Sequence, residues 1–484
     1  MATPVAATPT TDPALGFTTL EQEVVLDELA LTGELPNWLT GSLLRTGPAK
    51  FEVGGQRMRH WFDGLAMLHR FTIERGRVSY GSRFLESRSY RAARAQGQIV
   101  YGEFATDPCR SLFKRVQTLF TGGGLLPDNA NVNLVKLGER FIAMTETPLP
   151  VQFDPSTLKA AGVRAGGRPF TVPGQLTTAH PHLDRASGGM LNYAAKLGPR
   201  SSYRFFALDP LHDGERQPAK PRLIASLPVK QPAYMHSFGL TQRWLVLAEF
   251  PLVVNPLALA LSGRPYIENY RWKPELGTRF TLVDRRTGEA TGGFRSDACF
   301  AFHHVGAYED GDEVVVDLCA FEDAGIIQDL YLERLRAGKP VSTAALTRFR
   351  LRPSDRSVSA HRLADEDIEL PRINYARCNE RPYRYVWGVG GGPTGWLERI
   401  VKIDTHDGSS LSWALEDCYP GEPVFVASPR ADGEDDGVLL SVVLDARAGT
   451  SFLLALDASD LTELARAHVP HHIPFGFHGQ FARE

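Results

Sequence analysis

Apolar and polar side chains alternate in short runs along most of the chain. RFIAMTET (140–147), RWLVLAEF (243–250), EVVVDLCAFE (313–322), RYVWGVG (384–390) and GVLLSVVLDA (437–446) are examples. A period of two, broken every few residues by turn formers, predicts antiparallel strands rather than helices. The 45 glycines and 33 prolines supply the interruptions. Long stretches with a helical period are missing, so the expected class is all-β.

One local pattern recurs. An apolar-x-apolar strand end runs into a charged turn residue at Glu74, Asp154, Asp209, Asp284, Arg352, Asp404 and Asp457. Aspartate suits this place because its carboxylate can accept from the backbone N–H two residues on. Seven such turns at intervals of 52 to 80 residues suggest seven repeats of a sheet, as in a β-propeller with its blades around a central channel.

Several histidines and glutamates share a phase in this repeat. His180 and His236 follow the preceding turn by 26 and 27 residues, and His303 and His478 by 19 and 21. Glu369 and Glu422 follow theirs by 17 and 18. All six are therefore expected on the opening, innermost strand of a blade, facing the axis.

Composition narrows the class. A formal net charge of −3 gives no electrostatic footprint for nucleic acid. Five scattered cysteines without CxxC spacing argue against a disulfide framework or a cysteine zinc site, and they fit a reducing compartment. The Pro/Thr/Ala-rich start carries no signal-peptide pattern and reads as a disordered tail over residues 1–16. Residues 17–484 are then expected to form a single domain. No apolar run is long enough to span a bilayer.

The ordered motifs GSLLRTGPAKFEVG, HWFDGLAMLHRF, DPCRSLFKR, AMTET, AHPHLD, YMHSFGLT, FHHVGAYED, ELPRINYA, GEPVFV and PFGFHG cover nearly the whole chain. They resemble the carotenoid cleavage oxygenases, above all the animal-type carotene oxygenases and the retinal isomerohydrolase branch. The resemblance implies a seven-bladed β-propeller with Fe(II) on its axis and a helical and loop cap over a substrate tunnel. By motif, His180, His236, His303 and His478 would hold the iron, with Glu146, Glu369 and Glu422 behind them. Thr145 matches a residue that steers O2, and Tyr234 one that lines the substrate cleft. Imidazole suits Fe(II), and nearby carboxylates can orient the rings and offset the metal charge. In the paired motifs the first histidine is the ligand. His182 is then expected at the surface or in a turn, and His304 on the opposite face of its strand. His60 and His69 read as structural. Gly306 stands where the family usually has Asn.

The implied activity is Fe(II)-dependent dioxygenase cleavage of a carotenoid or apocarotenoid double bond to retinal-type aldehydes, with central cleavage expected. Stilbene cleavage and non-oxidative retinoid isomerohydrolysis are the alternatives within the family. Such a substrate resides in membrane. Leu112, Phe113, Val116, Leu119 and Phe120 would share one face of a short basic amphipathic helix over 109–126, suited to a bilayer interface. Cys109 at its head could take a lipid. The apolar stretch 250–261 is a second candidate contact. The protein is accordingly expected to be cytoplasmic and peripherally membrane-associated, with the polyene and O2 as partners and no obligate protein partner.

Overall fold

The computed structural model describes residues 13–107, 126–161, 169–212 and 218–483. Among the described residues, seven antiparallel sheets of three or more strands follow one another along the chain, the first and last each borrowing one strand from the other end, with two small two-stranded sheets besides. Consecutive sheets pack together, and Val424–Ala427 of the last meets Gly479–Ala482 of the first. The fold is a seven-bladed β-propeller, as the repeated turns predict.

Closure uses both termini. Gly479–Ala482 becomes the innermost strand of blade 1 by pairing with Gly41–Lys50, Ser42 opposite Ala482. Ala30–Gly33 adds an outer strand to blade 7 by pairing with Glu463–Val469. Each end of the chain thus covers an edge made by the other, which closes the ring.

The seven turn residues all fall at the end of the third strand of a blade. Five of the turns share one geometry. At Asp154, Asp284, Arg352, Asp404 and Asp457 the carbonyl accepts from the N–H four residues on, at 2.8–2.9 Å. That fourth residue is left-handed each time: Leu158 (φ 57°), Gly288 (75°), Arg356 (62°), Gly408 (75°) and Leu461 (62°). The aspartate side chain acts as expected. Oδ1 of Asp154, Asp284, Asp404 and Asp457 accepts from the N–H two residues on, at 2.8–3.0 Å.

Between the blades, side chains of adjacent sheets interdigitate. Ile142 and Met144 of blade 2 meet Phe206 and Leu208 of blade 3, and Phe205 of blade 3 meets Leu245 and Leu247 of blade 4. The largest cluster lies on the side where the inner strands begin. There Trp61, Phe300, Phe302, Phe321 and Phe477 gather under connections that carry the short helices Gly325–Asp329 and Leu332–Arg336.

Order begins earlier than the expected tail allows. Pro13–Phe17 forms a 3-10 turn. Phe17 lies edge-on to Trp61, Trp396 and Phe475, with ring centroids 5.9, 4.9 and 5.1 Å away. Residue 16 must be glycine because a Cβ would sit 2.2 Å from the Phe475 ring. The expected tail therefore extends no further than residue 12, and residues 1–12 lie outside the described chain.

The stretch 250–261 divides in two. Phe250, Leu252, Val253 and Val254 are buried, with Leu252–Val253 paired to Arg271–Trp272. Pro256–Leu261 is a helix capped by Asn255, and it exposes Leu257 (66%) and Leu261 (52%). The expected amphipathic segment, with Cys109, Leu112, Phe113, Val116, Leu119 and Phe120, lies outside the described residues. Among the described residues, no helix is long and apolar enough to cross a membrane.

Candidate metal centre

His180, His236, His303 and His478 come together, and one ring nitrogen of each lies within 4.8 Å of the others. They arrive from four blades. His180 sits between the two short inner segments of blade 3, Leu176–Thr177 and His182–Leu183. His236 precedes Gly239–Leu240 of blade 4, and His303 and His478 immediately precede His304–Asp310 and Gly479–Ala482. The shared phase is real, though the residues stand at the entrance of each inner strand rather than along it. Even there the backbone of two of them is tied to the neighbouring strand, His303 O accepting from the Cys319 N–H at 3.1 Å and His478 O from the Thr46 N–H at 3.3 Å.

The Nε2 atoms face inward. His180 Nε2 lies 2.9 Å from His236 Nε2, and His303 Nε2 lies 3.1 Å from His478 Nε2. Three Nδ1 atoms face outward onto carboxylates: His236 to Glu146 at 2.7 Å, His303 to Glu369 at 2.6 Å and His478 to Glu422 at 2.7 Å. A carboxylate only accepts, so these Nδ1 atoms carry the proton and their Nε2 lone pairs are bare. Between His303 and His478 two lone pairs then point at each other. A cation between them satisfies both, and four neutral nitrogens backed by three carboxylates form a donor set for a first-row divalent metal. Burial, followed by the neighbouring rings, holds His180 well below its ordinary pKa. Burial brings His478 down to about 4 even against the pull of Glu422.

The carboxylates are held differently. Glu422 is fully buried, yet Arg372, His478 and Arg45 overcome that burial and keep it well below the usual carboxylate range. Arg372 Nε donates to it at 2.8 Å and the Gly479 N–H at 2.9 Å. Burial likewise opposes the charge on Glu369, but His303 and the Leu370 N–H hold it low. Its second oxygen is buried without a partner. Glu146 also accepts from the Tyr234 hydroxyl at 2.9 Å. Arg45 and Arg372 were not singled out from the sequence, although Arg372 lies in the ELPRINYA motif beside Glu369.

A cavity of ≈1260 Å3, its open mouth included, reaches His236, His303 and His478, with Thr145 and Glu146 beside them. Phe62, Phe302, Phe477 and Trp396 give it an aromatic wall. Tyr234 is not among the described lining residues. Its ring is buried against Phe300 and Phe302, and its hydroxyl holds Glu146.

The other histidines stand apart. His60 is buried, accepting at Nδ1 from the Phe62 N–H and bonding Ile327 O through Nε2 at 3.0 Å. His69 bonds the Tyr80 hydroxyl at 2.9 Å. His304 turns away to Ser237 Oγ at 2.8 Å. His182 stays part-exposed near the surface, as expected, but it is engaged there. It packs edge-on against Phe238 and bonds Phe238 O and the Tyr375 hydroxyl, and burial lowers it to about 4. Gly306 also has a local reason. A Cβ there would meet the Tyr383 ring at 2.6 Å, and the Tyr383 hydroxyl donates to buried Asp317.

The family model described as Retinal pigment epithelial membrane protein matches residues 17–483. The chain belongs to the carotenoid oxygenase family. It is 35% identical to the carotenoid isomerooxygenase of Galleria mellonella, over 98% of this chain and 97% of that one. It is 34% identical to human beta,beta-carotene 15,15'-dioxygenase, over 93% and 91%. A solved structure of cobalt-substituted Synechocystis apocarotenoid oxygenase superposes with a TM-score of 0.82 at 26% identity, covering 97% of this chain and 98% of that one. This carotenoid oxygenase therefore shares its fold with a protein that has been prepared with cobalt in it.

Proposed function

We propose that this enzyme cleaves the central double bond of a carotenoid or apocarotenoid with O2, giving two aldehydes, and that His180, His236, His303 and His478 hold ferrous iron for the purpose. The observation that carries the reading is the set of inward Nε2 atoms at the end of an aromatic cavity, three of their rings fixed by glutamates. When bound, Fe(II) supplies the open coordination positions and the electrons that O2 activation needs. The protein's share is orientation. Glu146, Glu369 and Glu422 fix the tautomer and angle of three rings, and Arg45 and Arg372 anchor Glu422 in turn. Thr145, against the cavity beside Glu146, is placed to limit access near the centre, and Tyr234 keeps Glu146 in position. The aromatic wall takes the polyene out of water and holds it extended.

Residues 17–484 act on this reading as one catalytic domain. Peripheral membrane association in the cytoplasm is part of the same proposal, since the substrate lies in lipid and Leu257 and Leu261 are turned to solvent. Incubating the iron-loaded protein with β-carotene, apocarotenals, stilbenes and retinyl esters, with products separated by chromatography, tests the reading. Aldehydes from the central bond of a polyene are expected. Turnover of the stilbene or the ester alone would replace it with one of the alternatives.

A further inference from the structure

Resting on the membrane-association reading, we propose that a groove beside the helix Pro256–Leu261 binds the phosphate of an anionic phospholipid headgroup. The groove holds ≈820 Å3, its open mouth included, and shares no lining residue with the metal cavity. Its lining combines Val253, Val254 and Ala258 with the cations Arg264, Arg271 and Lys273. Ala258 and Ser262, four residues apart, both line it and mark one line along the helix. Leu257 and Leu261 lie one residue round from that line and are exposed, so an apolar ridge runs beside the groove. The turn after the helix is held by the buried amide of Asn269, which accepts from the Ser262 hydroxyl and donates to Pro265 O at 2.7 Å and Tyr266 O at 3.2 Å. The same turn carries Arg264 to the groove and Tyr266 to the wall of the metal cavity.

Arg264 and Arg271 are exposed, and Lys273 is partly buried. What the cations bind is neutral. Arg271 Nη1 donates to the carbonyls of Glu268 and Tyr270 at 2.7 Å each, and Lys273 Nζ lies 3.5 Å from Gln231 Oε1. Among the described residues no carboxylate pairs with any of the three, and Glu268, the acid of the same turn, is taken by Arg59 at 2.7 Å. Three positive charges therefore stand around one groove without a counter-charge. Phosphate suits them, because a guanidinium can give two parallel N–H bonds to its oxygens and lysine adds a point charge. A soluble anion would use the charge and leave the leucine ridge in water. A phospholipid uses both, with its phosphate in the groove and its acyl chains against Leu257 and Leu261, as at an interfacial helix. At an anionic membrane each such cation is worth about fivefold in binding.

Flotation of the whole protein with vesicles of phosphatidylcholine alone, and of phosphatidylcholine containing phosphatidylglycerol, tests the proposal. Wild type is expected to bind the anionic vesicles about tenfold or more tighter, and added salt should erase the difference by screening. The double variant Arg264→Gln/Lys273→Gln leaves the bonds of Arg271 to its own turn in place, and it should lose most of the preference. Arg75→Gln/Arg430→Gln removes the same charge from exposed positions on blades 1 and 7 and should keep it. Melting temperatures verify both folds, and if the groove variant is unstable, Arg264→Gln alone decides. Equal binding of wild type to the two vesicles, or equal loss of preference in the two double variants, would overturn the headgroup site while leaving the membrane reading in place. A melting temperature raised by inorganic phosphate, without any preference between vesicles, would give the groove to a soluble anion instead. Binding to neither vesicle would remove the membrane reading together with the site.

Discussion

His303 and His478 face each other through Nε2 atoms 3.1 Å apart, while each gives its Nδ1 proton to a glutamate of its own. Neither ring can relieve the contact by shifting its proton, because the carboxylates claim it. The pair is set for a cation by the residues behind it.

The glutamates should therefore be separable by substitution. Glu→Gln at Glu146, Glu369 or Glu422 keeps the volume and removes the charge, and losses of about 10–100-fold in metal affinity or activity are expected. Only Glu422→Gln should also unfold easily. Arg45, 4% exposed, would be left with its charge buried, a defect worth about 3 kcal/mol or more. Metal titrations beside melting curves check this. Equal melting temperatures for Glu369→Gln and Glu422→Gln would contradict the arginine anchor.

Acid should destabilise the metal-free protein through its buried histidines. Burial lowers His60 and His69 to about 3 each. Below the unfolded value near 6.5 the unfolded chain binds protons that the native state refuses, so stability falls as pH drops from about 6.5 towards 3. Each such histidine contributes about 1.4 kcal/mol per pH unit in that window. A melting temperature that stays level from pH 7 to pH 4.5 would contradict the neutral, buried state of these rings.

The shared blade turn gives a stabilising substitution. Arg356 is exposed and held at φ 62°, where glycine is unstrained. Arg356→Gly should raise stability by about 1 kcal/mol. Leu461→Gly, at the same turn position with φ 62° but buried, should lower it, because lost packing outweighs relieved strain. Chemical denaturation of the two variants reads the opposite signs.

Much of the architecture was legible because blades repeat. The turn at the end of each third strand marks the period, and the histidines keep phase with it. The carry-over of Glu146 depended on family motifs, since it follows the second strand of blade 2 and shares no phase with the others. What escaped was set by contacts distant in sequence. The bonds that His182 makes to Tyr375 and Phe238 join it to residues far along the chain. Arg45 reads as an ordinary strand residue until Glu422, far along the chain, is brought beside it by ring closure. Tyr234 has the place in the motif of a cleft residue, but its hydroxyl is directed to Glu146.

Leu257 and Leu261 test the proposed membrane association. Both are exposed on Pro256–Leu261, so changing them to Ser should leave the melting temperature unaltered. Burial of apolar surface is worth roughly 25 cal/mol per Å2, and the double variant should float less with liposomes and turn over lipid-embedded carotenoid more slowly. Unchanged flotation would remove this helix from the membrane surface.

Anaerobic titration of the metal-free protein with Fe(II), followed by air and β-carotene, tests the central claim most directly. Cleavage should rise in proportion to iron and level off at one per chain, and His303→Ala should neither bind the iron tightly nor cleave, whereas His304→Ala should do both. Full cleavage by iron-free protein, or by the His303→Ala variant, would contradict the four-histidine centre.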